Sequence, residues 1–165
     1  MGKEIERKYL VKGDEWRASA TSSADFLQAY ITLATDRSVR VRIIDNQKAK
    51  LTVKIGGEFL SRDEFEYEIP LQDAQEMAAQ AVGLVLEKTR HLVPFGGHTW
   101  EVDVYGGAYA GLVVAEVELD DEHTMPDLPS WIEREITGDR RYSNAVMATE
   151  NLSGELVGGV SSEGK

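Results

Sequence analysis

The sequence contains no cysteine. That excludes a disulfide framework, a thiol nucleophile and a Cys-based zinc site. It also lacks a long apolar run, so no transmembrane helix is predicted. Nor does it open with the basic-then-apolar pattern of a signal peptide, because charged residues of interest begin at Glu4. A cytoplasmic protein is the expectation, and there Asn151-Leu152-Ser153 matches a glycosylation acceptor only by accident. Histidine is scarce, and His91, His98 and His123 share no metal-ligand spacing. Neither a Gly-x-Ser-x-Gly elbow nor a Walker A loop occurs. Basic residues are outnumbered, 18 against 29 acidic, for a net charge of −11. Such a field disfavours non-specific nucleic-acid binding, which depends on Lys and Arg neutralising phosphates. It leaves room for an anionic ligand in a basic interior, provided cations accompany it.

What the chain does have is alternation. Its 165 residues suit one domain with a sizeable core. Period-two runs recur along it, which predicts a mainly β, α+β protein. Glu4, Glu6 and Lys8 alternate with Ile5 and Tyr9. Over Phe26–Leu33, Gln28, Tyr30 and Thr32 share one face and Leu27, Ala29, Ile31 and Leu33 the other. Arg40 and Arg42 alternate with Val39, Val41 and Ile43, and Thr52 and Lys54 with Leu51, Val53 and Ile55. Further strands are predicted over 62–69, 85–92, 100–105, 112–119 and 131–136. Helices are predicted over 15–20, 71–82 with Gly83 as C-cap, and 139–150. Residues 1–153 are expected to form the domain, and the Gly/Ser-rich 154–165 a flexible tail. No internal repeat or linker interrupts the chain.

The charged faces are unusual in kind. Arg40 stands with Arg42, Lys88 with Arg90, Glu64 with Glu66 and Glu68, and Glu116 with Glu118. Like charges two apart on one strand face repel, and a solvated surface has little reason to gather them. If the strands close into a barrel of about eight, the lumen holds side chains or one small ligand. With the apolar faces outward, the helices have something to pack on and the charges line a tunnel. Arg and Lys match phosphate oxygens, while Glu and Asp are hard ligands for Mg²⁺ or Mn²⁺. Together they fit a metal-complexed polyphosphate. A salt-bridged barrel without ligand is the competing reading, disfavoured because buried ion pairs seldom recover their desolvation cost.

The run Glu4-Ile5-Glu6-Arg7-Lys8 resembles the ExExK signature of the CYTH superfamily, the triphosphate tunnel metalloenzymes. Val39–Arg42, Leu51–Lys54, Glu64–Glu68, Glu87–Arg90, Glu101–Asp103 and Ala115–Glu118 resemble its later strands in order. Arg141-Tyr142-Ser143-Asn144 is similar to the start of its C-terminal helix. One departure is Ala29, where relatives often carry Gly. The resemblance implies an eight-stranded antiparallel closed tunnel with a charged lumen and helices packed outside. The form of the first motif and the short length look most like the small bacterial inorganic triphosphatases.

The resemblance further implies roles. Lys8, Arg40, Arg42, Lys54, Lys88 and Arg90 would hold the triphosphate. Glu4, Glu6, Glu116 and Glu118 would hold Mg²⁺ or Mn²⁺, with Glu66 and Asp103 available to a second ion. Glu64 is the chosen general base. Tyr30, sharing the tunnel parity, either meets Lys88 beside the leaving group or packs. The implied partner is a small-molecule triphosphate, not nucleic acid or membrane, and a homodimer is left open. The alternatives are a class IV-type adenylate cyclase, a thiamine or nucleoside triphosphatase, and a polyphosphate-binding module without turnover. Trp100 and Trp131 are read as packing residues.

Overall fold

The structure is a computed structural model that describes residues 2–56 and 61–158; of Gly2, Lys3, Glu4, Ser61 and Gly158 only the backbone is described. The expectations for the Glu4 side chain and for residues 159–165 therefore lie outside the described residues. The strands are β1 (Gly2–Val11), β2 (Ser22–Ala34), β3 (Arg37–Ile44), β4 (Lys48–Ile55), β5 (Ser61–Ile69), β6 (Leu86–Phe95), β7 (His98–Tyr105), β8 (Val113–Glu118) and β9 (Ile132–Glu135). The α-helices are α1 (Leu71–Ala78) and α2 (Asn144–Glu150). The fold is mainly β with few helices, as alternation predicts. No helix among the described residues is long and apolar enough to cross a membrane.

All pairings are antiparallel, in the order β5-β4-β3-β2-β6-β7-β8-β1-β9. Residues 2–5 of β1 also pair with β5. Strand parity sorts the side chains as the charge pattern requires. Ile5 and Tyr9 of β1 pack outward with Trp16, Trp100, Val102, Ala115, Val117 and Trp131. Ala29, Val41, Ile43 and Ala49 pack on Ala74 of α1. Trp100 and Trp131 meet edge-on at 5.9 Å inside the first of these clusters, in the packing role expected of them.

Four local expectations need correction. The alternation read through Leu33 breaks at a bulge: Tyr30 pairs with Arg40 but Thr32 with Val39, so Ile31 is the extra residue. Leu33 thereby joins Tyr30 in one cluster, and the faces given to Thr32 and Leu33 are exchanged. Helix α1 stops at Ala78, not Val82. The Val82 N–H leaves the helical ladder to donate to Tyr30 O in β2 at 2.8 Å. Gly83, at φ +78°, is therefore no C-cap; it passes so close to the Ala148 carbonyl that a Cβ would collide. The predicted 139–150 helix is a 3₁₀ turn (Arg140–Tyr142) followed by α2.

The fourth concerns the helices. α1 lies on the outward face, but α2 does not. Met147 and Ala148 pack with Tyr30, Leu86, Tyr105 and Val114. These four share the parity of the charged residues, so the charged face turns apolar at one end and gives α2 a seat. The helical turn Gly154–Gly158 follows, with Leu156 buried in the same cluster, beyond the Ser153 edge proposed for the domain.

Candidate functional site

The inward face encloses a cavity of ≈ 260 Å³. Among the described residues its lining includes Lys8, Arg40, Arg42, Lys54, Arg62, Lys88, Arg90 and Arg140 against Glu6, Glu116 and Asp139. A chain with net charge −11 thus gathers a strongly cationic interior. All six residues expected to bind phosphate line this one cavity, as do Tyr30, Glu6 and Glu116. Arg62 and Arg140 lie on it too, and neither was anticipated. Arg62 shared parity with Glu64 and was legible; Arg140 sits in the turn before α2, where no strand period points.

Register explains the grouping. Arg90 stands opposite Asp103, Glu101 opposite Glu116, and Lys8 opposite Glu116. Cation and carboxylate rows on β6, β7, β8 and β1 interlock. Asp103 is completely buried, accepts from Arg90 Nε and Nη2, both at 2.8 Å, and forms an ion pair with Lys88 Nζ at 2.7 Å. Burial pushes its carboxyl up, but Arg90 and Lys88 prevail and hold it below its usual value. Arg90 also reaches Glu101 at 3.1 Å and Glu116 at 3.8 Å. Burial works to lower the Arg90 pKa, but these carboxylates, Asp103 foremost, carry it well above the usual value.

Lys88 is the contrasting case. Burial is the largest influence and lowers its pKa to about 7, with Arg90 and Arg42 adding repulsion and Asp103 and Glu116 opposing. Arg42 is lowered to about 9, first by burial and then by Arg40 and Arg90. The Arg42 guanidinium lies 4.2 Å over the Phe26 ring and donates from Nε to Gln28 Oε1 at 2.8 Å. Arg40 is buried, yet its Nε has no hydrogen-bond partner in the described protein.

The carboxylates fall into two groups. Glu6 stands directly opposite Glu118, beside the Lys8–Glu116 pair at 3.5 Å. Like charges facing across a ladder repel. Burial raises the Glu116 carboxyl, but Lys8, Arg90, Lys88 and Lys54 together hold it far below its usual value. Glu64 and Glu66 stand on β5 against Lys54 (4.0 Å) and Lys50 (3.5 Å), and Thr52 donates to Glu66 at 3.3 Å. Asp103, expected beside them, has both of its oxygens in contact with Arg90 and Lys88. Among the described residues no three acidic or imidazole groups converge as a ready metal cage.

The CYTH domain matches residues 2–145, and the chain belongs to that family. It is 47% identical over 146 residues to the inorganic triphosphatase of Acetivibrio thermocellus, covering 88% of this chain and 92% of that one. Against the inorganic triphosphatase of Nitrosomonas europaea it is 32% identical, covering 88% and 96%. A crystal structure of an inorganic triphosphatase aligns over 90% of this chain and 96% of its own with a TM-score of 0.65 and 29% identity.

Proposed function

We propose that the protein is a metal-dependent hydrolase that cleaves inorganic tripolyphosphate to pyrophosphate and phosphate inside a closed tunnel of eight antiparallel strands. The observation that carries this reading is a cavity lined, among the described residues, by eight cations against three carboxylates in an acidic protein. The additional pairing of residues 2–5 of β1 with β5, beside the pairing of β1 with β8, supports the closed ring. The curated relatives support the substrate class.

Lys8, Arg40, Arg42, Lys54, Lys88 and Arg90 would hold the phosphate oxygens. The hard-oxygen chemistry of Glu6, Glu116 and Glu118, with Glu6 facing Glu118, fits Mg²⁺ or Mn²⁺, and Glu4 is assigned with them. Magnesium commonly takes one or two carboxylates plus substrate phosphates, so the lack of a ready cage among the described residues agrees with binding alongside the substrate. When bound, the ion would neutralise charge on the phosphoryl oxygens and polarise the attacking water. Glu64, loosely held by Lys54, would accept the water proton as the new P–O bond forms and the P–O–P bridge breaks. Lys88, able to change protonation near neutral pH, would supply charge or a proton to the departing pyrophosphate oxygen. Tyr30 is buried at the cavity wall in the core cluster beneath α2, which supports packing as its first role. Asp103 would anchor Arg90 and Lys88 and bind no metal.

Among the described lining residues Tyr30 alone is aromatic, and at 5% exposed it presents little ring face for a nucleobase to stack on. The separated cations grip three phosphates better than two, and energy from the non-reacting phosphates positions the scissile one. Tripolyphosphate should therefore turn over faster than ATP, and ATP faster than pyrophosphate. Initial phosphate release from each at equal concentration with excess Mg²⁺ tests this. Pyrophosphate cleaved as fast as tripolyphosphate would refute the three-phosphate site, and cyclic AMP from ATP would replace hydrolysis by cyclisation.

A further inference from the structure

The first residue of α2, Asn144, lies on the cavity wall but was given no role by its place in the sequence. Its side chain sits at the centre of a polar network. Lys88 Nζ donates to Asn144 Oδ1 at 2.9 Å, and Gln28 Nε2 donates to the same oxygen at 3.0 Å. Asn144 Nδ2 donates to Tyr105 OH at 2.8 Å. The amide has only one workable orientation, because an ammonium has donors and no acceptor and requires the oxygen. Gln28 is in turn locked, since its own oxygen accepts from Arg42 Nε at 2.8 Å. One amide thus fixes Lys88 directly and Arg42 through Gln28, and Gln28 is fully buried.

We propose that Asn144 is a positioning residue for the phosphate site, holding Lys88 and, through Gln28, Arg42 at the geometry that grips the scissile end of the substrate. This inference rests on the triphosphatase reading above. The Lys88 ammonium has three N–H bonds. Asn144 accepts one and Asp103 pairs with the ammonium at 2.7 Å, and the side chain lines the cavity where a phosphate oxygen can take a remaining N–H. Without the Asn144 oxygen, Lys88 is tethered only by Asp103 and can swing about that contact. The neutrality of the amide matters as much as its position. A carboxylate there would keep the acceptor but place a negative charge beside an incoming polyanion. Because α2 carries Asn144, the seating of Met147 in the apolar end of the sheet also sets the alignment of the cations.

The test is a double-mutant cycle between Asn144→Ala and Lys88→Gln, read in tripolyphosphate hydrolysis and in calorimetric binding of tripolyphosphate in chelator. Asn144→Ala alone should lower kcat by about 100-fold, the scale of a misplaced catalytic cation, with a much smaller change in KM. In the Lys88→Gln background the same change should cost no more than about threefold, because the residue through which it acts is gone. Asn144→Asp keeps the shape and the helix start, and should bind tripolyphosphate at least about tenfold more weakly at an unchanged melting temperature. A purely structural amide predicts the reverse: lost melting temperature, equal cost in both backgrounds, and a harmless aspartate. Equal cost in both backgrounds, in either assay, overturns the inference. If the wild type binds tripolyphosphate but releases no phosphate, the triphosphatase reading fails, and the binding cycle alone decides the role of Asn144. Should Asn144→Ala not fold, Asn144→Asp with wild-type affinity at wild-type melting temperature overturns it equally.

Discussion

Replacing Asp103 by asparagine distinguishes an anchor from a metal ligand by the sign of the stability change. Asp103 is fully buried and neutralises Arg90 through two 2.8 Å bonds and Lys88 through an ion pair at 2.7 Å. Asparagine keeps the volume but removes the charge and one acceptor. Two buried cations, already repelling each other, then lose their nearest common partner. Breaking a buried pair from one side costs about 3–5 kcal/mol. At about 2–4 °C per kcal/mol for a domain of this size, the melting temperature should fall by roughly 6–20 °C. A metal ligand behaves otherwise: removing one of several gathered carboxylates relieves repulsion, so the apo protein holds or gains stability. The assay is thermal unfolding of both proteins without ligand at neutral pH, then with tripolyphosphate. Tripolyphosphate should raise the variant's melting temperature more than the wild type's, since an anion replaces the missing charge. The folded pKa of Asp103 is depressed, so its contribution is complete above about pH 3.9, its unfolded value, and is lost as pH falls through the folded value. The gap between the two proteins should accordingly narrow in acid. A variant melting within 2 °C of wild type, with unchanged activity, refutes the anchor.

Glu6→Gln and Glu118→Gln should instead keep or raise the apo melting temperature while lowering turnover by at least about 100-fold; a collapse in stability with near-normal turnover would make them structural residues. Hydrolysis should require Mg²⁺ or Mn²⁺, with Ca²⁺ a poor substitute because it is larger and looser in geometry; full activity after exhaustive chelation sinks that assignment. For Lys88, a folded pKa of about 7 lies below the unfolded value of about 10.4. The unfolded chain binds more protons across that window, so stability at this site rises with pH between the two values. The charged form needed for phosphate disappears over the same range, so kcat/KM should fall on a basic limb near pH 7. A Lys88→Arg variant that keeps the same limb would assign it elsewhere.

The part of this protein legible in its sequence is the part governed by period two. Like charges at alternate positions, Arg40 with Arg42 and Lys88 with Arg90, demanded an enclosed counterpart, and the cavity contains all four. Register supplied what alternation could not. Glu101 and Asp103 share one strand face, yet Asp103 falls opposite Arg90 and beside Lys88 while Glu101 falls opposite Leu92 and Glu116. That offset leaves Asp103 buried under two cations, whereas Glu101, whose carboxyl is raised first by burial, stands at the edge of the row. The bulge at Ile31 was hidden because an extra residue leaves no mark in a run of Leu, Ala, Ile and Leu. It nevertheless brings Leu33 to the side of β2 that meets α2. Asn144 was hidden for a different reason. An asparagine at a helix start is commonplace as a cap, but here no capping bond is made by the residue before it, and the Asn144 amide points into the sheet toward Lys88, Gln28 and Tyr105. Strand parity can place a cation in a lumen. What aims it is an amide carried in by a helix more than fifty residues away in the chain, as the Lys88–Asn144 separation of 56 makes plain.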